Sequence, residues 1–456
     1  MGTSARKTES KQSASSAILC QLYDQRKAHK GTYKPIEVDF LKLFPDKSGA
    51  ERATHLLHPY PAKLIRNIPR FFLDCPDIAP PKSRVLDPFC GSGTVLLEAR
   101  LSGHDVVGAD SNPLARVITL AKLSPPSVAQ AQAMLLQIVE MAPTMKEAVP
   151  DVVNIDYWFS PRVCRQLAKL RAALLEVCGD PWNSPFMWAC FSSCVRRVSL
   201  ADPRLSVPVR INPDRASFYG AKGDQVLQRF ERLKTVNVSQ VFWQITVANI
   251  RRVERTKFPK RAALPVLFND ARSIGLPDTS VDLVITSPPY VGAQKYIRSS
   301  SLCLGWLGFS PNGKLRPIES QSIGREHLAA TESNGALKTG QREVDRLLVH
   351  ISDRNVLRAR IALQYIIEMK SAITEAHRVL RDEGRFVLVV GPNMVSGYEF
   401  DTPKYLASIA REIGMRIDLH LVDTIASRGL MTKRNKTAGT IAQESVYVLT
   451  KSDDGR

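Results

Sequence analysis

The sequence has no apolar run near the ~18 residues that cross a bilayer, and its N-terminus has no apolar signal core. Both absences set the expectation of a cytoplasmic protein. The eight cysteines include no Cys-x-x-Cys pair. Cys190 and Cys194 are four apart in a helix-like apolar stretch, without further ligands at metal spacing. No metal is expected, and the thiols read as buried and free. Acidic residues are scarce, 44 against 63 basic, which leaves a net charge of +19. Such an excess suits a polyanionic partner, nucleic acid above all. There is no complete Gly-x-Gly-x-x-Gly fingerprint and no Gly-Lys-Ser/Thr phosphate loop. No internal repeat is visible.

What is present is a strand–helix rhythm that stops and resumes. The 456 residues suffice for one large α/β domain with an insertion, or for two domains. Residues 1–16, rich in Ser, Lys, Thr and Ala, read as a disordered tail. Residues 17–126 form the first half. A strand from Arg84 to Leu86, a helix from Val95 to Leu101, a strand from Asp105 to Ala109 and a helix from Pro113 to Leu123 alternate as in a parallel sheet. Residues 127–262 break that rhythm: helices to about 178, then mixed, basic and aromatic sequence. They read as a largely helical insertion. From 263 to 456 the rhythm returns, with strands at Val266 to Phe268, Val281 to Thr286 and Phe386 to Val390. A long helix from Val356 to Leu380 carries Tyr365, Met369, Ile373, Ala376 and Leu380 on one stripe. Residues 310–350 read as a long mobile loop. Ile417 to Val422 and Val446 to Leu449 read as a closing antiparallel pair.

The chemistry is concentrated at strand ends. Gly91-Ser92-Gly93 lies between a strand and a helix, where glycines let backbone N–H groups approach a ligand closely. Asp87 at the strand tip would oppose a diphosphate and suits a cation such as an amino group. Asp110 ends the next strand, where doubly wound folds place the carboxylate for two ribose hydroxyls. A nucleoside without diphosphate is favoured over a dinucleotide. Asp270, at a third strand tip, either accepts from a purine amino group or caps the segment after it. Ser287-Pro288-Pro289-Tyr290 follows a buried strand. Its prolines stiffen the backbone and remove two N–H donors, leaving carbonyls free to accept. The Ser287 hydroxyl and Pro288 carbonyl would hold an exocyclic amine, and Tyr290 would stack on its base.

These motifs resemble the amino-methylating DNA methyltransferases, in an Asp-Pro-Phe-x-Gly-Ser-Gly loop followed by a (Ser/Asn/Asp)-Pro-Pro-Tyr loop. His58-Pro59-Tyr60-Pro61-Ala62-Lys63 with Ile68-Pro69 is similar to the family's cofactor-capping segment. Tyr296-Ile297-Arg298 and Trp306-Leu307-Gly308 fit as well. The likeness covers about 55–125 and 264–450. It implies an α/β, doubly wound, mostly parallel, seven-stranded Rossmann-like sheet with one antiparallel strand. It also implies S-adenosylmethionine as cofactor, held by Tyr60, Pro61, Lys63, Asp87, Pro88, Phe89, Gly91, Gly93, Thr94, Asp110, Ser111 and Asp270. Ser287, Pro288, Pro289 and Tyr290 would be catalytic. The serine form of the tetrapeptide points to cytosine N4; adenine N6 and RNA guanine methylation stay open as alternatives, as does a non-catalytic binding protein. Cytosine C5 chemistry needs a Pro-Cys dipeptide, which the chain lacks.

The resemblance makes duplex DNA the expected partner, recognised through residues 127–262. In a prokaryotic restriction-modification setting, a cognate endonuclease would act separately. Candidate phosphate contacts are Arg196, Arg197, Arg251, Arg252, Arg255, Lys257, Lys260 and Arg261. Arg204, Arg210 and Arg215 form a looser group, and Lys433-Arg434-Asn435-Lys436 a third cluster.

Overall fold

A computed structural model describes residues 14–28, 34–44, 52–61, 63–259, 263–292, 295–328, 335–424 and 443–452, excluding the side chains of 215–218 and 222. The strands are β1 (Ile36–Val38), β2 (Arg84–Asp87), β3 (Asp105–Ala109), β4 (Val266–Phe268), β5 (Val281–Thr286), β6 (Leu380–Val390), a small hairpin of β7 (Asn393–Val395) and β8 (Tyr398–Phe400), β9 (Met415–Thr424) and β10 (Gln443–Lys451). All but the hairpin join one sheet in the order β1-β9-β10-β6-β5-β2-β3-β4. Only β10 runs antiparallel to its neighbours, β6 and β9.

The sheet is doubly wound because its strands are apolar on both faces. Leu283 and Ile285 of β5, with Val387 and Val389 of β6, pack on Leu19, Leu22, Phe71, Phe72 and Leu96. Those last five belong to helices Ala14–Ala28, Asn67–Leu73 and Thr94–Leu101. Val284, Phe386, Leu388 and Val390 pack on the other face, against helices Arg342–Arg354, Val356–Val379 and Thr402–Glu412. Tyr365, Met369, Ile373 and Ala376 of the stripe read on the long helix are buried as expected, whereas Leu380, also buried, lies beyond the helix end at Val379 and begins β6.

Three expectations change. The sheet has eight strands, not seven. The eighth, β1, adds to the far edge by pairing Ile36 with Leu421 in parallel. Three residues centred on Glu37 are too short to show an alternating pattern. The segment 310–350 is not one loop: Arg342–Arg354 is a helix whose Val344, Leu348 and Ile351 are fully buried, at i, i+4, i+7 spacing. Abundant charge between those positions hid the stripe. The supposed tail becomes helical at Ala14, with Ser15 and Ser16 buried; residues 1–13 lie outside the described residues.

Residues 128–254 are helical, with Val128–Met141, Pro161–Cys178, Pro185–Val198, Gly223–Thr235 and Val238–Glu254 as the main elements. They share a core with the sheet domain. Trp188, Phe191 and Phe242 pack with Leu114, Val117 and Ile118 of helix Pro113–Leu123 and with Trp306. The unit is fastened to both halves of the sheet. Among the described residues no helix is long and apolar enough to cross a membrane.

Leu348→Ala should cost about 2–5 kcal/mol of stability, the range for emptying a buried leucine site. Urea unfolding of the variant measures it; a loss below about 0.5 kcal/mol, the surface range, would mean that this helix does not pack as described.

Candidate active site

The strand tips β2, β3, β4 and β5 meet around one pocket. Tyr60, Phe89, Gly91, Asp110, Asp270, Ser287 and Tyr296 are among its lining residues. The loop after β2 turns sharply at Gly91 (φ +49°) and Gly93 (φ +75°). A Cβ at Gly93 would lie 2.8 Å from the Thr119 methyl, so both backbone angle and space require glycine. Helix Pro113–Leu123 clamps the loop carbonyls. Thr119 Oγ1 donates to Gly91 O at 2.9 Å, and the buried Lys122 Nζ donates to Ser92 O at 2.7 Å. The Gly91 N–H then donates to Asp110 Oδ2 at 2.9 Å, while Asn112 N–H donates to Oδ1 at 2.8 Å. Gly93 and Thr94 start the next helix and do not line the pocket.

Asp87 lies beneath the loop, 3% exposed. Its Oδ1 accepts from Thr286 Oγ1 at 2.7 Å and from Phe89 N–H at 3.1 Å. Burial outweighs these bonds and pushes its carboxyl up to about 7. Burial likewise pushes Asp110 up to about 6.

The capping segment is anchored from behind. His55 Nε2 lies 2.6 Å from Glu98 Oε1, Arg52 pairs with Glu98 Oε2 at 3.2 Å, and His58 Nε2 meets Ser192 Oγ at 3.0 Å. Lys63 Nζ donates to the His58 carbonyl at 3.0 Å rather than lining the pocket. Tyr60 stands at the pocket wall, its hydroxyl accepting from Asn112 Nδ2 at 3.2 Å.

The tetrapeptide expected to be catalytic divides. Ser287 and Pro289 line the pocket; Pro288 and Tyr290 do not. Tyr290 is 8% exposed and packs in the core. Its hydroxyl donates to Glu444 Oε1 at 2.9 Å and accepts from Gly391 N–H at 3.3 Å. The expected base-stacking position is therefore not where this ring lies. The aromatic ring on the pocket wall from the catalytic side is Tyr296, missed as a site residue because it follows the motif by six positions. Of the two readings of Asp270, its bonds fit the cap. Oδ1 accepts from the Arg272 N–H at 2.9 Å, and both oxygens accept from the Arg272 guanidinium at 2.9–3.2 Å. Its carboxylate is directed at arginine rather than held open for an amine.

Tyr60 also lines a second cleft, of about 700 Å³, with Pro61 and five arginines: Arg196, Arg197, Arg204, Arg229 and Arg252. Among the described residues lining it, none is Asp or Glu. Arg204 is held by Asp202 at 2.6 Å, and Arg229 donates to the Arg197 carbonyl at 2.8 Å. Of the predicted phosphate contacts, Arg196, Arg197 and Arg252 reach this cleft. Arg251, Arg255 and Lys257 are outside it. Lys260, Arg261 and the cluster 433–436 lie outside the described residues. Arg229 sits in an ordinary amphipathic helix, so nothing local in the sequence marked it.

The chain matches known methyltransferases. The UPF0020 family model, an RMKL-like methyltransferase domain, matches residues 58–134. The Type II methyltransferase M.MvaI of Kocuria varians is 25% identical over 412 residues, spanning 86% of this chain and 88% of that protein. Among solved structures, a protein of Thermus thermophilus designated a DNA modification methylase is 19% identical with a TM-score of 0.21. The alignment spans 41% of this chain and 53% of that one, about half its length. The rRNA methyltransferase aviRa of Streptomyces viridochromogenes is 11% identical over 90% of this chain and 95% of its own, with a TM-score of 0.29.

Residues 58–134 thus match a methyltransferase domain. Part of the pocket lining is compatible with S-adenosylmethionine, the cofactor expected from the sequence motifs. Gly91, at φ +49°, faces the Tyr60 ring, and its left-handed backbone favours glycine at this turn of the pocket wall. Asp110 lies at the pocket wall on a strand tip, whereas Asp87, predicted to meet the cofactor, is buried beneath the loop and does not line the pocket.

Asp87 and Asp110 are raised from the ordinary 3.8 to about 7 and about 6. Groups raised in the folded state contribute stability that is complete below the unfolded value and is lost as pH rises through the folded value. The ligand-free protein should lose stability between about pH 4 and about pH 7. Asp87→Asn should flatten the upper part of that loss. Urea midpoints across this range provide the check; an unchanged slope in the variant would show that Asp87 does not titrate there.

Proposed function

We propose that the protein is a site-specific DNA methyltransferase. It transfers the methyl group of S-adenosylmethionine to the N4 amine of cytosine in duplex DNA, by base flipping and direct transfer, in a restriction-modification or DNA-marking role. The observation that carries this reading is one shared pocket. Ser287 and Pro289 of the tetrapeptide line it together with Gly91 and Asp110 of the cofactor half.

The bound cofactor supplies a methyl group already activated by its sulfonium, so positioning supplies most of the rate. The Ser287 hydroxyl, on the pocket wall, would accept from the exocyclic amine and direct its lone pair toward the methyl; as the N–C bond forms the S–C bond breaks, S-adenosylhomocysteine leaves, and the amine's proton passes to water. Tyr296 offers a stacking face for the extruded base. Asp110 holds the ribose. The five-arginine cleft takes backbone phosphates, with Tyr60 between them and the cofactor.

Two measurements test this. Base-resolved sequencing of DNA from cells expressing the protein should show N4-methylcytosine at a defined sequence. N6-methyladenine instead would overturn the cytosine assignment, and unmodified DNA would overturn the reading. Arg229→Gln and Arg252→Gln should each weaken duplex binding and lower the slope of log K against log salt by about 1. A slope equal to wild type would take these residues out of the DNA interface.

A further inference from the structure

A buried charge network stands behind part of the pocket wall. Glu368, on the core side of helix Val356–Val379, is 5% exposed. Arg325, 6% exposed, donates through Nη1 to both its oxygens, at 2.6 and 2.9 Å. Arg272 donates to Glu368 Oε1 at 3.0 Å while gripping Asp270. Two cations and two anions thus close into a neutral quartet.

Each arginine also holds a backbone carbonyl of the strap 321–325. Arg272 Nη2 donates to Gln321 O at 3.0 Å, and Arg325 Nη1 to Ser322 O at 3.2 Å. The strap presents Gln321, Ser322 and Ile323 to the pocket. Its Ser322 hydroxyl lies 3.0 Å from that of Ser111, beside Asp110. At Gly324 (φ +76°), a Cβ would come within 2.9 Å of the Tyr290 carbonyl. The strap therefore runs between the cofactor half and the catalytic loop.

A buried ion pair contributes little net stability over apolar packing of the same shape, because desolvation offsets attraction. What it supplies is geometry, since each partner is costly to leave unpaired. We propose that Glu368 is a positioning residue of the cofactor pocket. Through Arg272 and Arg325 it fixes the strand tip at Asp270 and the strap at Gln321–Ile323, and so sets cofactor affinity. Glu368 touches no reactant, and neither arginine lines the pocket. The inference rests on the methyltransferase reading and deepens it.

The test is calorimetric titration with S-adenosylhomocysteine of the full chain and of Glu368→Ala, Glu368→Gln and Ser322→Ala. Affinity should fall about tenfold or more in Glu368→Ala, less in Glu368→Gln, which keeps an acceptor oxygen, and several-fold in Ser322→Ala. Binding stoichiometry and duplex affinity should stay at the wild-type level. A purely structural role would lower stoichiometry and melting temperature while the folded fraction keeps wild-type affinity, and that result overturns the proposal. If Glu368→Ala does not fold, wild-type affinity in both other variants overturns it equally. No titration by the wild-type protein would instead overturn the methyltransferase reading itself.

Discussion

The hydrogen bond from Thr286 to Asp87, 2.7 Å long and spanning 199 residues of chain, joins the two halves of the site. It exists because β5 lies next to β2, with Val85 opposite Leu283 and Leu86 opposite Val284. Parallel neighbours end on the same side of the sheet, so their following loops converge. The glycine loop and the tetrapeptide are thereby brought to one pocket without contact between their own backbones being required. The bond has a cost. It holds a carboxyl in a place where burial opposes its charge.

The helical unit between the two halves adds a second constraint. Its core runs into helix Pro113–Leu123, whose Thr119 and Lys122 clamp the glycine loop. The same unit supplies the arginines of the cleft. The surface proposed to hold DNA and the loop proposed to hold the cofactor are mounted on one packed body. Ser192, bonded to His58, extends this to the capping segment.

Much of this was legible in the sequence wherever the signal is local. Strand-to-turn transitions at Asp87, Asp110, Asp270 and Ser287 stand out because apolar runs end there in small or acidic residues. What was illegible depends on partners far along the chain. Tyr290 reads as a stacking ring from its motif, yet its hydroxyl is held by Glu444, 154 residues away. Asp270 reads either as an acceptor for an amine or as a cap; its bond from the Arg272 N–H fits the cap, but the guanidinium of Arg272, shared with Glu368 96 residues further along, has no local signal. Charge density was a partial guide. It marked three basic groups, of which Arg196, Arg197, Arg204 and Arg252 line the arginine cleft while Arg251, Arg255 and Lys257 do not. It also disguised Arg342–Arg354 as loop, though three buried aliphatics define its face.

Tyr60 is the hinge of the functional argument, because it belongs to both cavities. A base can reach Ser287 only by leaving its stack, and its sugar-phosphate must remain outside the small pocket. The arginine cleft, which shares Tyr60 with the pocket, has the charge to receive that backbone. Under the proposed function, sequence-independent affinity lies in the cleft and the chemistry in the pocket. The ring between them is held by Asn112 on one side, while its segment is pinned to Glu98 and Ser192 on the other. A boundary so firmly anchored is poorly suited to swing as a gate. Under the proposed function, the moving part is the nucleotide, drawn past a fixed wall, rather than the protein closing over it.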